Sequence, residues 1–358
     1  MELPFFDGGS QKKRDQILAV DLGGRVTKAV HIQRRGDAFA LCGYAMLDAP
    51  IFEKTLSADL LAEHLKTLTQ ALPAKTKSVS LTLSANDALV RPVEMPRVPM
   101  DELRLILKNN PRNYLQQDLV NHVFDCFVLP ADYQSKAADS KSAAGAAQKQ
   151  KLLVTSAKAQ IVEEFVNGAK AGGLVADWIL PGILGPVNAF EMAMPEVFAK
   201  QLVALVDIGF KSSSICLLQQ GDLVLNRIVG VGGDRLTTTI SESMSISYAE
   251  AEGIKIGMPQ EVQPALETVL TPLGRELRAS IDFFEHQQDK VVSQVYVSGG
   301  SSRSPIILQS LQTELMVECK TWNPASFLRR ELTPDQAANF EEAAPQLAVA
   351  IGAALAAL

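Results

Sequence analysis

The 358-residue chain carries 34 Lys+Arg against 40 Asp+Glu, a formal net charge of −6, with 47% hydrophobic and 21% charged residues. These proportions exclude a disordered or fibrous chain, and an acidic balance with no concentrated basic face argues against a nucleic-acid binder. Single cores stop growing at roughly 250–300 residues, so the length predicts two or more compact units.

A polar leader over 1–15 lacks the h-region and cleavage site of a signal peptide and is expected to be flexible. The segment 16–47 then predicts strand, tight turn, strand, hairpin turn at Gly36-Asp37 and strand. Residues 57–72 follow a helical period with Ser57 as N-cap, and Lys77–Leu83 predicts a strand. Pro92, Pro96 and Pro99 suggest a domain boundary, after which 100–117 reads as helical with a break at Pro111. Strands are expected at His122–Leu129 and Lys151–Ala157, a mobile hairpin loop at 134–150, and a helix at 158–171.

At 201–229 the opening pattern recurs: apolar strand, Asp-x-Gly, second strand, Gly-Asp turn, third strand. Asp21 and Gly23 match Asp207 and Gly209, and Gly36-Asp37 matches Gly221-Asp222 with a one-residue difference in spacing. Two copies of one β-meander imply an internally duplicated α/β fold. Helices are expected over 232–258 and 261–289, a buried strand with Gly299-Gly300 over 292–305, and a final helix over 345–358. The longest apolar tract, 347–358, is shorter than the ~20 residues a bilayer crossing needs. Cys42, Cys126, Cys216 and Cys319 show no CxxC or zinc spacing and read as small core residues of a reducing, cytoplasmic compartment.

An Asp-x-Gly turn at a strand end presents backbone N–H groups that can cradle phosphate, because glycine admits close approach. The carboxylate can hold Mg²⁺ through water and so bridge to phosphate. One such turn reads as an ordinary hairpin, but two in the same meander context point to a clamp on a triphosphate. Gly232-Gly233 opens a helix whose amide end could face an anion. Arg235 stands where GxGxxG requires its last glycine, so that signal is weak, and no GxxxxGK[ST] occurs.

The ordered set VDLGGRVTK, VDIGFKSSS, VGVGGDRL, YAEAEGIK and VYVSGGSSRSP, with the Ala-rich last helix, resembles the actin/Hsp70/sugar-kinase ATPase superfamily. Within it the chain is similar to the PilM family of type IV pilus assembly proteins, relatives of the division protein FtsA. VRPVEMPRVPMDELRLILKNNPRNYLQQDLVNHVFDCFVL (90–129), AEAEGIK (249–255) and TWNPASFL (321–328) carry that narrower likeness.

The resemblance implies a duplicated, ribonuclease H-like actin fold with two lobes around a nucleotide cleft. The first lobe would take 16–95, 176–200 and 341–358, and a small α+β subdomain would be inserted over 96–175. The second lobe would take 201–340, with a helical part at about 241–290. For ATP it implies Asp21, Gly23, Gly24, Arg25 and Lys28 at the first phosphate turn, and Asp207, Gly209, Lys211, Ser212 and Ser213 at the second. Gly232 and Gly233 would open the nucleotide-facing helix, Glu252 and Lys255 would reach the ribose, and Gly299, Gly300 and Ser301 the adenosine. Mg²⁺ would be held by Asp21 and Asp207 through water.

The first turn departs from the family, with Gly24-Arg25-Val26 in place of a serine run. Arg25 either restores the lost contacts by pairing with phosphate or fills the pocket. No catalytic residue is assigned. Asn188 and Glu191, the polar side chains of the crossing segment 180–191, read as helix-surface residues, so hydrolysis is expected to be slow at most.

The implied role is a cytoplasmic adaptor, peripheral to the inner membrane through partners, that captures the N-terminal peptide of a PilN-like membrane protein. The groove for it would lie at about 96–130 beside the first lobe. Self-association as an FtsA- or MreB-like filament is one alternative. A small-molecule kinase is another, although no acidic base for a substrate cleft is evident.

Overall fold

The computed structural model describes residues 14–53, 55–72, 74–129 and 149–358. The leader expected over 1–15 lies outside the described residues up to position 13, and the loop expected over 134–150 lies outside them up to position 148. Arg14 is described and pairs with Asp177 at 2.9 Å.

The opening meander is β1 (Gln16–Asp21), β2 (Val26–Arg35) and β3 (Ala38–Asp48), followed by α1 (Ala58–Ala71) and β4 (Ser78–Leu83). The chain continues through β5 (Ala88–Pro96), α2 (Met100–Asn109), α3 (Pro111–Leu115), β6 (His122–Val128), β7 (Lys149–Lys158) and α4 (Ala159–Ala171). β8 (Val175–Pro181), α5 (Leu184–Ala193) and α6 (Pro195–Lys200) lead into the second meander, β9 (Leu202–Ile208), β10 (Ser213–Gln219) and β11 (Asp222–Val229). Next come α7 (Gly233–Met244), α8 (Tyr248–Gly257), α9 (Gln263–Gln288), β12 (Gln294–Ser298), α10 (Pro305–Leu315) and β13 (Cys319–Thr321). β14 (Arg329–Arg330), α11 (Pro334–Ala343) and α12 (Ala348–Ala357) close the chain.

The expected elements form where local chemistry dictates them. Ser57 caps α1 by accepting from the Leu60 amide at 3.4 Å. Pro111 cannot donate to α2, so the helix stops at Asn109 and Pro111 becomes the first residue of α3.

The duplication is a property of the sheets. One sheet runs β14-β3-β2-β1-β4-β8 and the other β11-β10-β9-β12-β13. In each, a three-stranded antiparallel meander continues through its first strand into two parallel strands, β1–β4–β8 and β9–β12–β13. The central residues of β1 and β9 are buried, as continuous apolar runs between covered faces require. α5 and α12 lie between the sheets, in a core that joins Ile17, Val30 and Leu41 to Val203, Leu218 and Tyr296.

Three features differ in detail from the expected divisions. β5 begins at Ala88 and belongs to a separate sheet ordered β5-β7-β6, where its edge position tolerates Pro92 and Pro96. α4 packs on α1, with Gly168 against Leu61, so 159–171 joins the core of the first sheet and not the inserted one. β14 pairs with β3, and Phe340 of α11 is fully buried against Tyr44, so the return to the first sheet precedes residue 341.

All four cysteines are free; three are buried, and Cys42 is half-buried. Burial pushes the Cys126 thiol up to about 11 and those of Cys216 and Cys319 up to about 12. A thiol-specific reagent at pH 8 should therefore modify Cys42 first in the native protein, as mass spectrometry of the labelled peptides would show. Modification of Cys216 at a similar rate would contradict this packing.

Candidate functional site

The two Asp-x-Gly turns close the β1–β2 and β9–β10 hairpins. Asp21, the last residue of β1, faces Lys28 on β2, and its Oδ2 accepts from Lys28 Nζ at 3.0 Å. Its Oδ1 accepts from Thr82 Oγ1 at 3.3 Å, because β4 runs parallel to β1 with Thr82 in register with Asp21. The second copy repeats this arrangement. Asp207 of β9 is in register with Ser298 of β12, and Ser298 Oγ donates to Asp207 Oδ1 at 2.8 Å. A hydroxyl on the parallel neighbour thus holds each aspartate.

The two turns face each other through Lys28. Burial works against the Lys28 charge, but Asp21 and, more weakly, Asp207 raise its pKa above the ordinary lysine value. Burial raises Asp207 above the usual carboxylate range, with Asp21 adding to the rise while Ser298 and Lys28 oppose it. One ammonium therefore sits in the field of two carboxylates from separate lobes. Gly23 lies beneath it: a Cβ there would come within 2.9 Å of Lys28 Nζ and 2.5 Å of the Val26 carbonyl oxygen.

The second turn packs directly on the start of α7. The Gly233 and Asp234 amides donate to the carbonyls of Gly209 and Phe210, each at 2.9 Å. Those amides, expected to face an anion, are thus spent on the turn. Only glycine fits at 232, where a Cβ would meet both carbonyl oxygens at 2.5 Å. Ser213 is buried and donates to the Val231 carbonyl at 2.7 Å, which leaves Ser212 as the hydroxyl at the turn's surface. Lys211 reaches Asp234 at 2.8 Å, and Tyr248 donates to the same carboxylate at 3.0 Å.

Behind them, Lys255 Nζ donates to Glu252 at 2.7 Å, to Thr237 at 2.7 Å and to the Gly233 carbonyl at 3.4 Å. Thr237 also donates to Glu252. Burial opposes the Glu252 charge, but its bonds to Lys255 and Thr237, with the charges of Lys255 and Arg25, hold its pKa below the ordinary value. Burial depresses Lys255 despite Glu252 beside it. Gly299, at φ +95°, passes against Ile208 at the end of β9, and Ser301 lies beside Gly233. Segments expected at the second phosphate turn, ribose and adenosine positions thus pack on one another, with Gly232, Gly233 and Gly299 buried among them.

Contacts from the first lobe reach these segments. Arg25 pairs with Glu252 at 3.0 Å, Gly24 lies against Phe210, and Asn86 donates to Ser212 at 3.4 Å. Asn188, weighed as a water-positioning group, instead donates to the Gly352 carbonyl at 3.3 Å where α5 meets α12, and Glu191 lies on the exposed side of α5. The partners Thr82, Ser298 and Thr237 lie outside the Asp-x-Gly and Gly-Gly motifs. The signal for the first two is a hydroxyl near the end of the parallel strand that follows each meander.

The family model for the type IV pilus assembly protein PilM matches residues 19–358. The chain belongs to the PilM family. A solved PilM–PilN type IV pilus biogenesis complex contains a chain that superposes with a TM-score of 0.82 at 22% identity, over 97% of this chain and 99% of that one. MreB5 of Spiroplasma citri bound to AMPPNP superposes with a TM-score of 0.53 at 11% identity, over 95% of each chain. The cell division protein FtsA of Bacillus subtilis is 36% identical over 72 residues, 20% of this chain and 16% of its own length. The match thus spans about a sixth of that relative. PilM-family membership and these neighbours establish an actin-like ATPase fold in a pilus assembly protein. No helix among the described residues is long and apolar enough to cross a membrane.

Proposed function

We propose that the chain is an ATP-binding, actin-like adaptor of a type IV pilus or related secretion machine. In this reading it is cytoplasmic and reaches the inner membrane by capturing the N-terminal tail of a PilN-like protein. The observation that carries the nucleotide part is the pair of facing turns, with Asp21 and Asp207 each held by a strand hydroxyl and coupled through Lys28. The AMPPNP-bound MreB5 of the same fold supports it.

Mg²⁺ fits this donor set, since it takes one or two carboxylates, keeps several waters and completes its shell with phosphate oxygens. Asp21 and Asp207 would hold it, and the ion would supply charge neutralisation at the phosphates. Lys28 pairs with Asp21 and lies in the field of Asp207, and Ser298 and Thr82 orient the two carboxylates. The amides of the first turn and the half-buried hydroxyl of Ser212 would then meet the phosphates.

The partner part rests on family membership, on the superposed PilM–PilN complex, and on the β5-β7-β6 sheet. β6 is an outer strand, with Phe127 63% and Val128 42% exposed. An extended peptide can add to such an edge through backbone pairing and side-chain pockets. A labelled synthetic peptide from a PilN-like N-terminus should bind the full chain by fluorescence anisotropy, and Phe127→Asp should weaken binding at least about tenfold. No binding to the unaltered chain at about 100 µM peptide would sink the adaptor reading.

A further inference from the structure

Arg25 stands on the first-lobe turn, where its carbonyl accepts from the Ala49 amide at 2.8 Å, yet the described partners of its side chain belong to the second lobe. Its Nη1 pairs with Glu252 Oε1 at 3.0 Å, and its guanidinium lies 5.9 Å from the Phe210 ring centroid and 5.8 Å from that of Tyr248. Phe210 follows the second Asp-x-Gly turn, while Tyr248 and Glu252 share α8. The acceptor is prepared before Arg25 reaches it. Lys255 and Thr237 grip the other oxygen of Glu252, so its carboxylate is fixed from within the second lobe and presents Oε1 to the cleft. Glu252 is only 16% exposed, whereas Arg25 is 42% exposed and reaches in from the rim. Gly24 beside it is close enough to Phe210 that a Cβ would lie 3.3 Å from the ring, so the turn and the second lobe are in contact.

We propose that Arg25 is an interlobe latch. It binds Glu252 across the mouth of the cleft and holds the two acidic turns closed over Lys28. A nucleoside phosphate enters only after this ion pair opens. Its physical basis is a planar guanidinium that pairs with a carboxylate and lies against two aromatic rings at once, contacts that a lysine reproduces only in part. An exposed ion pair alone contributes little, but one whose acceptor is preorganised and whose donor is flanked by two rings can hold a two-state hinge. This inference rests on the nucleotide reading for its consequence, but its structural content is independent of any ligand.

Two measurements on Arg25→Ala separate these parts. In the nucleotide-free protein, amide hydrogen exchange in peptides covering 19–27, 208–214 and 248–256 should rise about fivefold or more, and Arg25→Lys should restore part of the protection. Unchanged exchange in Arg25→Ala would overturn the latch. In stopped-flow binding of a fluorescent ATP analogue, the association rate of Arg25→Ala should rise by a similar factor of about five. An unchanged association rate with faster dissociation would make Arg25 a phosphate ligand and overturn the latch. Raised exchange with no nucleotide bound by either protein would uphold the latch and sink the nucleotide reading instead.

Discussion

Asp207→Ala is expected to weaken Mg-ATP binding at least about tenfold in isothermal titration calorimetry, and so is Asp21→Ala, because under the proposed function each removes one of the two carboxylates that would bridge metal to phosphate. The two variants are expected to part company in stability. Lys28 donates directly to Asp21 and feels Asp207 only at a distance. Losing Asp21 leaves a buried ammonium without its hydrogen-bonded partner, a change that costs about 3–5 kcal/mol in buried ion pairs. Losing Asp207 leaves Lys28 paired and relieves a carboxylate that burial already disfavours. Asp207→Ala and the shape-conserving Asp207→Asn should therefore stay folded with a thermal midpoint near that of the unaltered chain, while Asp21→Ala melts lower. An unchanged affinity in folded Asp207→Ala would remove the phosphate clamp from the proposed function.

Much of this site was legible because its signal is local. A strand that ends in Asp-x-Gly before a second strand can be read within a dozen residues, and its recurrence at 207 revealed the duplication. Register, by contrast, is set at long range. Thr82 and Ser298 lie beside Asp21 and Asp207 only because β4 and β12 return parallel to the first strand of each meander. No spacing rule joins residues across such crossovers.

The same limit explains α7. Gly232-Gly233 before a helix reads as an open anion site, but the turn at Gly209 and Phe210 arrives from elsewhere in the chain and takes those amides for itself. Arg25 was ambiguous for the same reason. A cation in an Asp-x-Gly turn invites an anion nearby, and Glu252, on a helix of the other lobe, is the one it pairs with. The divisions around the inserted sheet shifted because prolines mark edges as well as boundaries: Pro92 and Pro96 lie within an edge strand.

Gly352→Ala should destabilise the fold by about 3 kcal/mol or more, for a reason the Ala-rich composition of α12 conceals. α12 and α5 cross between the two sheets, and the crossing is set by two glycines in contact. A Cβ on Gly352 would lie 1.8 Å from the Gly185 carbonyl oxygen, and one on Gly185 would lie 2.6 Å from Val349 Cα. The obstructing atoms are backbone, so no rotamer change relieves the clash, and the helices must move apart. Separation would also stretch the Asn188 contact to the Gly352 carbonyl and the 2.9 Å bond from Ser80 Oγ to the Ala353 carbonyl. Both lobes pack on these helices, so the loss is expected to appear as a fall in the main thermal transition on the order of 10 °C. Gly253→Ala supplies the contrast. It lies on the exposed side of α8 with nothing within 4 Å of its added methyl, so helix propensity alone applies and the variant should gain about 0.5–1 kcal/mol. Equal melting of the two variants would mean that α5 and α12 do not meet at these glycines.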